Sequence, residues 1–181
     1  MSAYMKNLAA WQLCTLFVLF VILSVGILFG VAGARINTSA SIPVGLYWTS
    51  NEPVKKGSLV MFCPPKARIF FTAEKRGYID AGLCPSGYGS IMKEVFAVPG
   101  DHIAVTAEGV EINGKRLANS KPLHADPAGR LLPVLRVRKT LAPDEYLLLS
   151  TTNPLSFDGR YFGPIAAASI TTTIRPVLTW N

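Results

Sequence analysis

The chain has 181 residues, 50% of them hydrophobic, a formal net charge of +7, three cysteines and two histidines. Two histidines, with no cysteine in a CxxC pair, argue against a zinc site. The basic residues fall in scattered pairs (Lys55-Lys56, Lys75-Arg76, Lys115-Arg116) without interleaved aromatics, which suits a solvated surface beside acidic lipid headgroups and gives no reason to expect a nucleic-acid partner.

The apolar excess is concentrated at the start. From Asn7 to Ala34 no residue is charged, and the core of the run reads LCTLFVLFVILSVGILFGVAGA. About 20 apolar helical residues span a bilayer core of roughly 30 Å, so the run predicts a transmembrane helix. Ala32-Gly33-Ala34 has the small-residue pattern of a leader cleavage site, but the run far exceeds the roughly 7–15 residues of a secretion-signal core, which favours a retained anchor. Lys6 lies on one side of the run and Arg35, Lys55 and Lys56 on the other, so charge does not settle the orientation. Cys14, inside the run, is expected to act as a small hydrophobe. Residues 1–34 are therefore read as a short N-terminus and anchor, and 35–181 as one compact outer domain.

That domain reads as a β-protein. GSLVMF (57–62), IMKEVFAV (91–98), HIAVT (102–106), VEIN (110–113), EYLLLS (145–150) and Ala167–Leu178 are short, apolar or β-branched, and bounded by Gly, Pro, Asp and Asn, so each predicts a strand. A helix-like stretch, Ala67 to Arg76, separates Cys63 from Cys84, and both cysteines sit beside prolines (FCPP, LCPS). A disulfide is the better reading of this pair, and it implies an oxidising compartment. Pro99-Gly100-Asp101 predicts a turn after the strand carrying Lys93. Asn113-Gly114 predicts a hairpin. Ala118 to Pro133 is read as a polar surface loop.

Many familiar catalytic patterns are absent: no phosphate loop, no HExxH, no Gly-x-Ser-x-Gly and no Rossmann glycines. His102 and His124 are read as ordinary surface histidines. Three segments stand out. Asn37-Thr38-Ser39-Ala40-Ser41-Ile42-Pro43 could be a plain juxtamembrane linker. Lys93 alternates with Ile91, Val95 and Ala97, an apolar face on which an ammonium is costly. It could be an edge lysine with its head in water, or a buried amine with a depressed pKa that can act as a general base. Ser156 to Pro164, SFDGRYFGP, could be a turn with a local ion pair.

Together and in this order, the three segments resemble the signal peptidase I superfamily across nearly the whole chain. The resemblance implies a mainly β fold, a β-sheet platform behind one N-terminal transmembrane helix. It assigns Ser41 as nucleophile, the second serine of its box, with Ser39 supplying a hydroxyl to the oxyanion hole. Lys93, six residues before Pro99-Gly100-Asp101, would be the base. Asp158 and Arg160 would support that base without doing chemistry, so Asp158→Asn is expected to lower activity strongly with a modest loss of stability. The VEINGKRL hairpin also looks like the family's strand pair.

SIPVGLYW and the cysteine-flanked insertion are similar to the TraF-type maturation peptidases of conjugative transfer systems, which process pilin precursors at the outer face of the inner membrane. Three residues depart from the general pattern: Ile42 for methionine, Glu94 for arginine and Gly159 for serine. They favour the specialised branch. The implied chemistry is attack by Ser41 Oγ, proton transfer to neutral Lys93, and resolution of the acyl-enzyme by water or by a substrate amine, with no metal or organic cofactor. The expected partners are a precursor peptide and the lipid bilayer. The alternative is a non-catalytic, single-pass β-domain that binds partners in a secretion or transfer assembly.

Overall fold

The computed structural model describes residues 2–150 and 152–180, with side chains from residue 10 onward, so the side chain of Lys6 lies outside the described residues. The chain divides into two compact units, residues 1–35 and 36–181. The first is dominated by helix α1 (Ser2–Ala32), whose segment Ala10–Ala32 has 23 residues with none of it buried in protein. At 1.5 Å per residue this segment is about 34 Å long, enough to cross a bilayer core.

The second unit is built on two sheets. The larger runs in the order β1 (Ala34–Asn37), β2 (Val44–Ser50), β11 (Ile170–Trp180), β3 (Leu59–Phe62), β4 (Ile91–Ala97), β9 (Glu145–Leu149), β10 (Ile165–Ala166). The smaller runs β7 (Lys115–Arg116), β6 (Gly109–Ile112), β5 (His102–Thr106), β8 (Val137–Thr140). Helix α2 (Arg68–Lys75) and the single turn α3 (Gly159–Phe162) complete the domain.

Strand β9 explains how the sheets share a core. Leu148 packs in a cluster with Val60, Phe62, Phe70, Val95 and Phe157, while Leu147 and Leu149 join Ala97, Ile103, Val105 and Val110. Both faces of β9 are covered, so its sequence is a continuous apolar run instead of an alternation. Its neighbour β4 sends Val95 to the first cluster and Ala97 to the second, with a register shift between them.

The six predicted strands form, and α2 occupies the predicted helical stretch. Asn113 and Gly114 both take positive φ (52° and 78°), as a tight two-residue hairpin requires. Strand β2 is an addition that sequence reasoning did not include. It pairs antiparallel with β11 at close range, and a Cβ on Gly45 would meet the Leu178 carbonyl oxygen at 2.2 Å, so only glycine fits there. The segment 118–133 is a loop, but a pinned one. Leu132 is buried in the first cluster, and Ser120 Oγ donates to Leu117 O while accepting from the Val110 N–H.

Cys63 and Cys84 are joined in a disulfide with Cα atoms 5.5 Å apart, whereas Cys14 is a free thiol on α1. The Asp101 carboxylate accepts from the Val98 N–H, Asn113 Nδ2 and Lys56 Nζ, which ties the Pro-Gly-Asp turn to the hairpin. Burial opposes ionisation of Asp101, but these partners outweigh it and hold its pKa low. His102 and His124 are both exposed.

Candidate active site

Lys93 is 2% exposed. It stands on β4 opposite Val60 of β3, itself fully buried, so the register that fills the first core also carries the amine inside. Burial pushes its pKa down to about 8; the Asp158 carboxylate acts against that shift, and the Arg160 guanidinium adds to it. Glu94, the next residue, points to the other face, half-buried, with its pKa raised by desolvation.

Lys93 Nζ donates to Ser156 Oγ at 2.9 Å, and Ser156 Oγ lies 3.1 Å from Ser41 Oγ. The contacts thus join Ser41 to Lys93 through a third hydroxyl. Sequence reasoning assigned roles in the third segment to Asp158 and Arg160 alone and missed Ser156, although it heads the same stretch. Its signal was a serine two residues before a buried ion pair, which only the fold reveals as buried.

The loop carrying Ser41 is shaped by Asn37, a residue sequence reasoning gave no role. Its Nδ2 donates to the carbonyls of Ser39, Ile42 and Pro43, and its Oδ1 accepts from the Ser39 N–H and the Ser39 hydroxyl. Tyr47 Oη also donates to the Pro43 carbonyl, and Ile42 anchors the loop in a small cluster with Tyr47, Met61 and Ile174. The Ser39 hydroxyl is therefore turned toward Asn37, so serving an oxyanion requires it to rotate.

Asp158 and Arg160 are 0% and 1% exposed and form a buried ion pair, with Arg160 Nε 2.8 Å and Nη2 2.9 Å from the two carboxylate oxygens. Asp158 also accepts from the N–H of Arg160, capping α3, and from the N–H of Ser150, fastening the segment to the end of β9. Arg160 Nη2 donates in turn to the Ser156 carbonyl at 3.0 Å. The pair thus fixes the backbone of the residue that touches both Lys93 and Ser41. Gly159 is demanded by the same packing, since a Cβ there would lie 2.7 Å from the Leu148 carbonyl oxygen.

Two clefts meet at Ser41. One, of about 200 Å³, contains Lys93, Ile91, Met92 and Asn37; the other, of about 300 Å³, contains Ser156, Leu123, Leu132 and Tyr161. Among the described residues no group of three or more His, Cys, Asp or Glu side chains is placed to hold a metal ion. A hydroxyl in an open cleft, linked by hydrogen bonds to a desolvated amine, is an arrangement suited to acyl transfer.

Comparison with known proteins bears on the family of the chain. The family described as signal peptidase, peptidase S26, matches residues 6–180. A plasmid transfer protein TraF from Escherichia coli is 54% identical over 150 residues, covering 82% of this chain and 85% of that one. A conjugal transfer protein TraF from Agrobacterium tumefaciens is 34% identical over 151 residues, covering 82% and 84%. A crystal structure of a signal peptidase I from Enterococcus faecalis is a weak match, 17% identical with a TM-score of 0.38 over 68% of this chain and 98% of that one. By the extent of the family match and by its relatives, this chain belongs to the signal peptidase family, peptidase S26.

Proposed function

We propose that this protein is a membrane-anchored serine endopeptidase with Ser41 as nucleophile and Lys93 as general base, cleaving leader or pilin precursor peptides in conjugative transfer. The observation that carries the reading is the hydrogen-bonded line from Lys93 Nζ through Ser156 Oγ to Ser41 Oγ. A lysine at its ordinary pKa near 10.4 is almost wholly protonated at neutral pH, whereas one near 8 is neutral in an appreciable fraction of molecules. Ser41 Oγ attacks the scissile carbonyl, its proton passes along the line to Lys93, and the Ser41 N–H with a rotated Ser39 hydroxyl receives the oxyanion. The protonated amine then serves the leaving nitrogen. Water, or a substrate amine closing a ring, releases the acyl group.

The single long apolar helix supports a single-pass anchor, and the disulfide supports an extracytoplasmic domain at the outer face of the bacterial inner membrane. Ser41 follows the apolar run by seven residues, which favours a cut near the bilayer surface. The plasmid and conjugal transfer names of the relatives support a pilin or leader substrate. Mass spectrometry of candidate pilin products, made with wild-type protein and with Ser41→Ala or Lys93→Ala, tests this. Mature product with wild type and unprocessed precursor with both variants is the expected result. Equal processing by all three would reduce the domain to a non-catalytic binding module.

A further inference from the structure

The two clefts at Ser41 share Ser39, Ser41, Tyr78 and Phe157 as walls, so both adjoin the nucleophile. They are built differently. In the Lys93 cleft, β9 pairs with β4 only from Glu94 to Ala97, which leaves Ile91–Lys93 without a partner from β9, and all three residues line the cleft. Such an edge accepts an extended peptide as an added strand. The second cleft contains Ser156 without Lys93; its apolar and aromatic walls are Tyr78, Leu123, Leu132, Leu155, Phe157 and Tyr161, and Asn153 and Asp126 also line it.

We propose that this second cleft receives a large apolar side chain from the peptide segment that follows the scissile bond. The inference rests on the peptidase reading above. Its direction comes from the proton path. When the C–N bond breaks, the acyl carbon stays on Ser41 Oγ, and the departing nitrogen takes the proton that the Lys93 ammonium returns through Ser156 Oγ. Ser156 lines the second cleft and not the first, so the nitrogen and the residues after it lie there.

The chemistry of the walls selects the occupant. Phe157 packs against both Tyr78 and Tyr161, with ring centroids 5.7 and 6.0 Å away. The one carboxylate at the wall, Asp126, is neutralised by Arg130 at 2.6 Å and accepts from the Tyr78 hydroxyl, so it offers little to a cation. The walls are also held in advance. Arg76 Nη1 donates to the Leu131 carbonyl and Arg130 Nη2 to the Arg76 carbonyl, clamping the segment after α2 to the 118–133 loop. A preformed apolar cleft of about 300 Å³ suits one bulky aliphatic or aromatic side chain.

The test uses the full chain in detergent micelles and a peptide library randomised on both sides of a central bond, with products read by mass spectrometry. Wild type is expected to favour Phe or Leu over Lys within the first two positions after the cut by about tenfold in kcat/KM, the discrimination of a single apolar subsite. Leu155 is 59% exposed, so Leu155→Glu should fold, and it should lower the Phe-to-Lys ratio about tenfold. Leu123→Ala should lower the same ratio. Because the ratio is internal to each enzyme, a change in folded fraction cancels. A ratio near one in wild type, or one unmoved by Leu155→Glu, would overturn the cleft assignment while Ser41→Ala still abolished cleavage. Cleavage persisting in Ser41→Ala would instead overturn the peptidase reading.

Discussion

Lys93 Nζ donates to Ser156 Oγ at 2.9 Å, in a site where the lysine is 2% exposed and the serine 3%. A buried ammonium has three donors to satisfy, so this hydroxyl both compensates part of its desolvation and fixes the direction of the amine. The same oxygen lies 3.1 Å from Ser41 Oγ. Ser156 is therefore the joint of the site, and Arg160 holds that joint through the Ser156 carbonyl.

Ser156→Ala is expected to lower kcat by about 10²–10⁴-fold, the usual scale for losing a proton-transfer group, with little change in KM. Ser156→Thr keeps the hydroxyl and should recover a large part of the loss. Steady-state kinetics on a precursor peptide gives both numbers. An unchanged kcat in Ser156→Ala would mean that Lys93 reaches Ser41 without the relay.

Burial revises the expectation for Asp158. At the sequence level a modest stability loss is expected from Asp158→Asn, as for a supporting pair in a turn beside the sheet platform. In the fold the carboxylate is fully buried and accepts from Ser150, from the Arg160 backbone and from two guanidinium nitrogens. Removing its charge leaves Arg160 buried and unpaired, so the cost should be about 3–5 kcal/mol. Urea denaturation of the two proteins measures it. The double variant Asp158→Leu/Arg160→Met removes both charges and should be more stable than Asp158→Asn alone. A loss below about 1 kcal/mol in the single variant would mean that water reaches the guanidinium.

What the sequence made legible follows from what is local. The strands, the Asn113-Gly114 turn and the apolar alternation around Lys93 depend on neighbouring residues, and they read correctly. Ser156 and Asn37 escaped because their roles depend on partners far along the chain, or on a loop whose carbonyls converge only when folded. Asn37 spends its whole amide on the loop holding Ser41, yet in sequence it is one more polar residue before a Ser/Thr-rich stretch. Strand β2 escaped because Gly45 weakens its propensity, and its value lies in close approach to β11.

The disulfide should govern substrate binding as well as stability. Cys63 and Cys84 are 21 residues apart in sequence, and the segment they close carries Tyr78, a wall of both clefts. Cys63→Ser/Cys84→Ser is expected to cost about 3 kcal/mol by the chain-entropy argument. It should also raise KM more than it lowers kcat, because Ser41, Ser156 and Lys93 lie outside that segment. Thermal unfolding and peptide kinetics on the double variant check the two parts. A kcat loss with KM unchanged would place the effect on the reacting groups instead.

Lys93 sets the pH dependence of both rate and stability. Its amine, lowered by burial to about 8, must be neutral to accept a proton, so kcat/KM should climb from pH 6 and level off above about pH 8, following one deprotonation. Stability follows from the same shift. The folded state holds fewer protons on this group than the unfolded state when the pH lies between about 8 and the unperturbed 10.5. Stability therefore rises with pH across that window as the burden of the buried charge is relieved. Below pH 8 the full burden is present, on the order of 3 kcal/mol at about 1.4 kcal/mol per unit. Lys93→Met keeps most of the volume and removes the charge, so it should be inactive yet at least as stable as wild type at pH 7. Its denaturation midpoint should also lose the rise between pH 8 and 10.5. A Lys93→Met variant clearly less stable than wild type at pH 7, or a wild-type rate flat from pH 6 to 9, would make Lys93 a structural lysine whose hydrogen bond to Ser156 serves the fold alone.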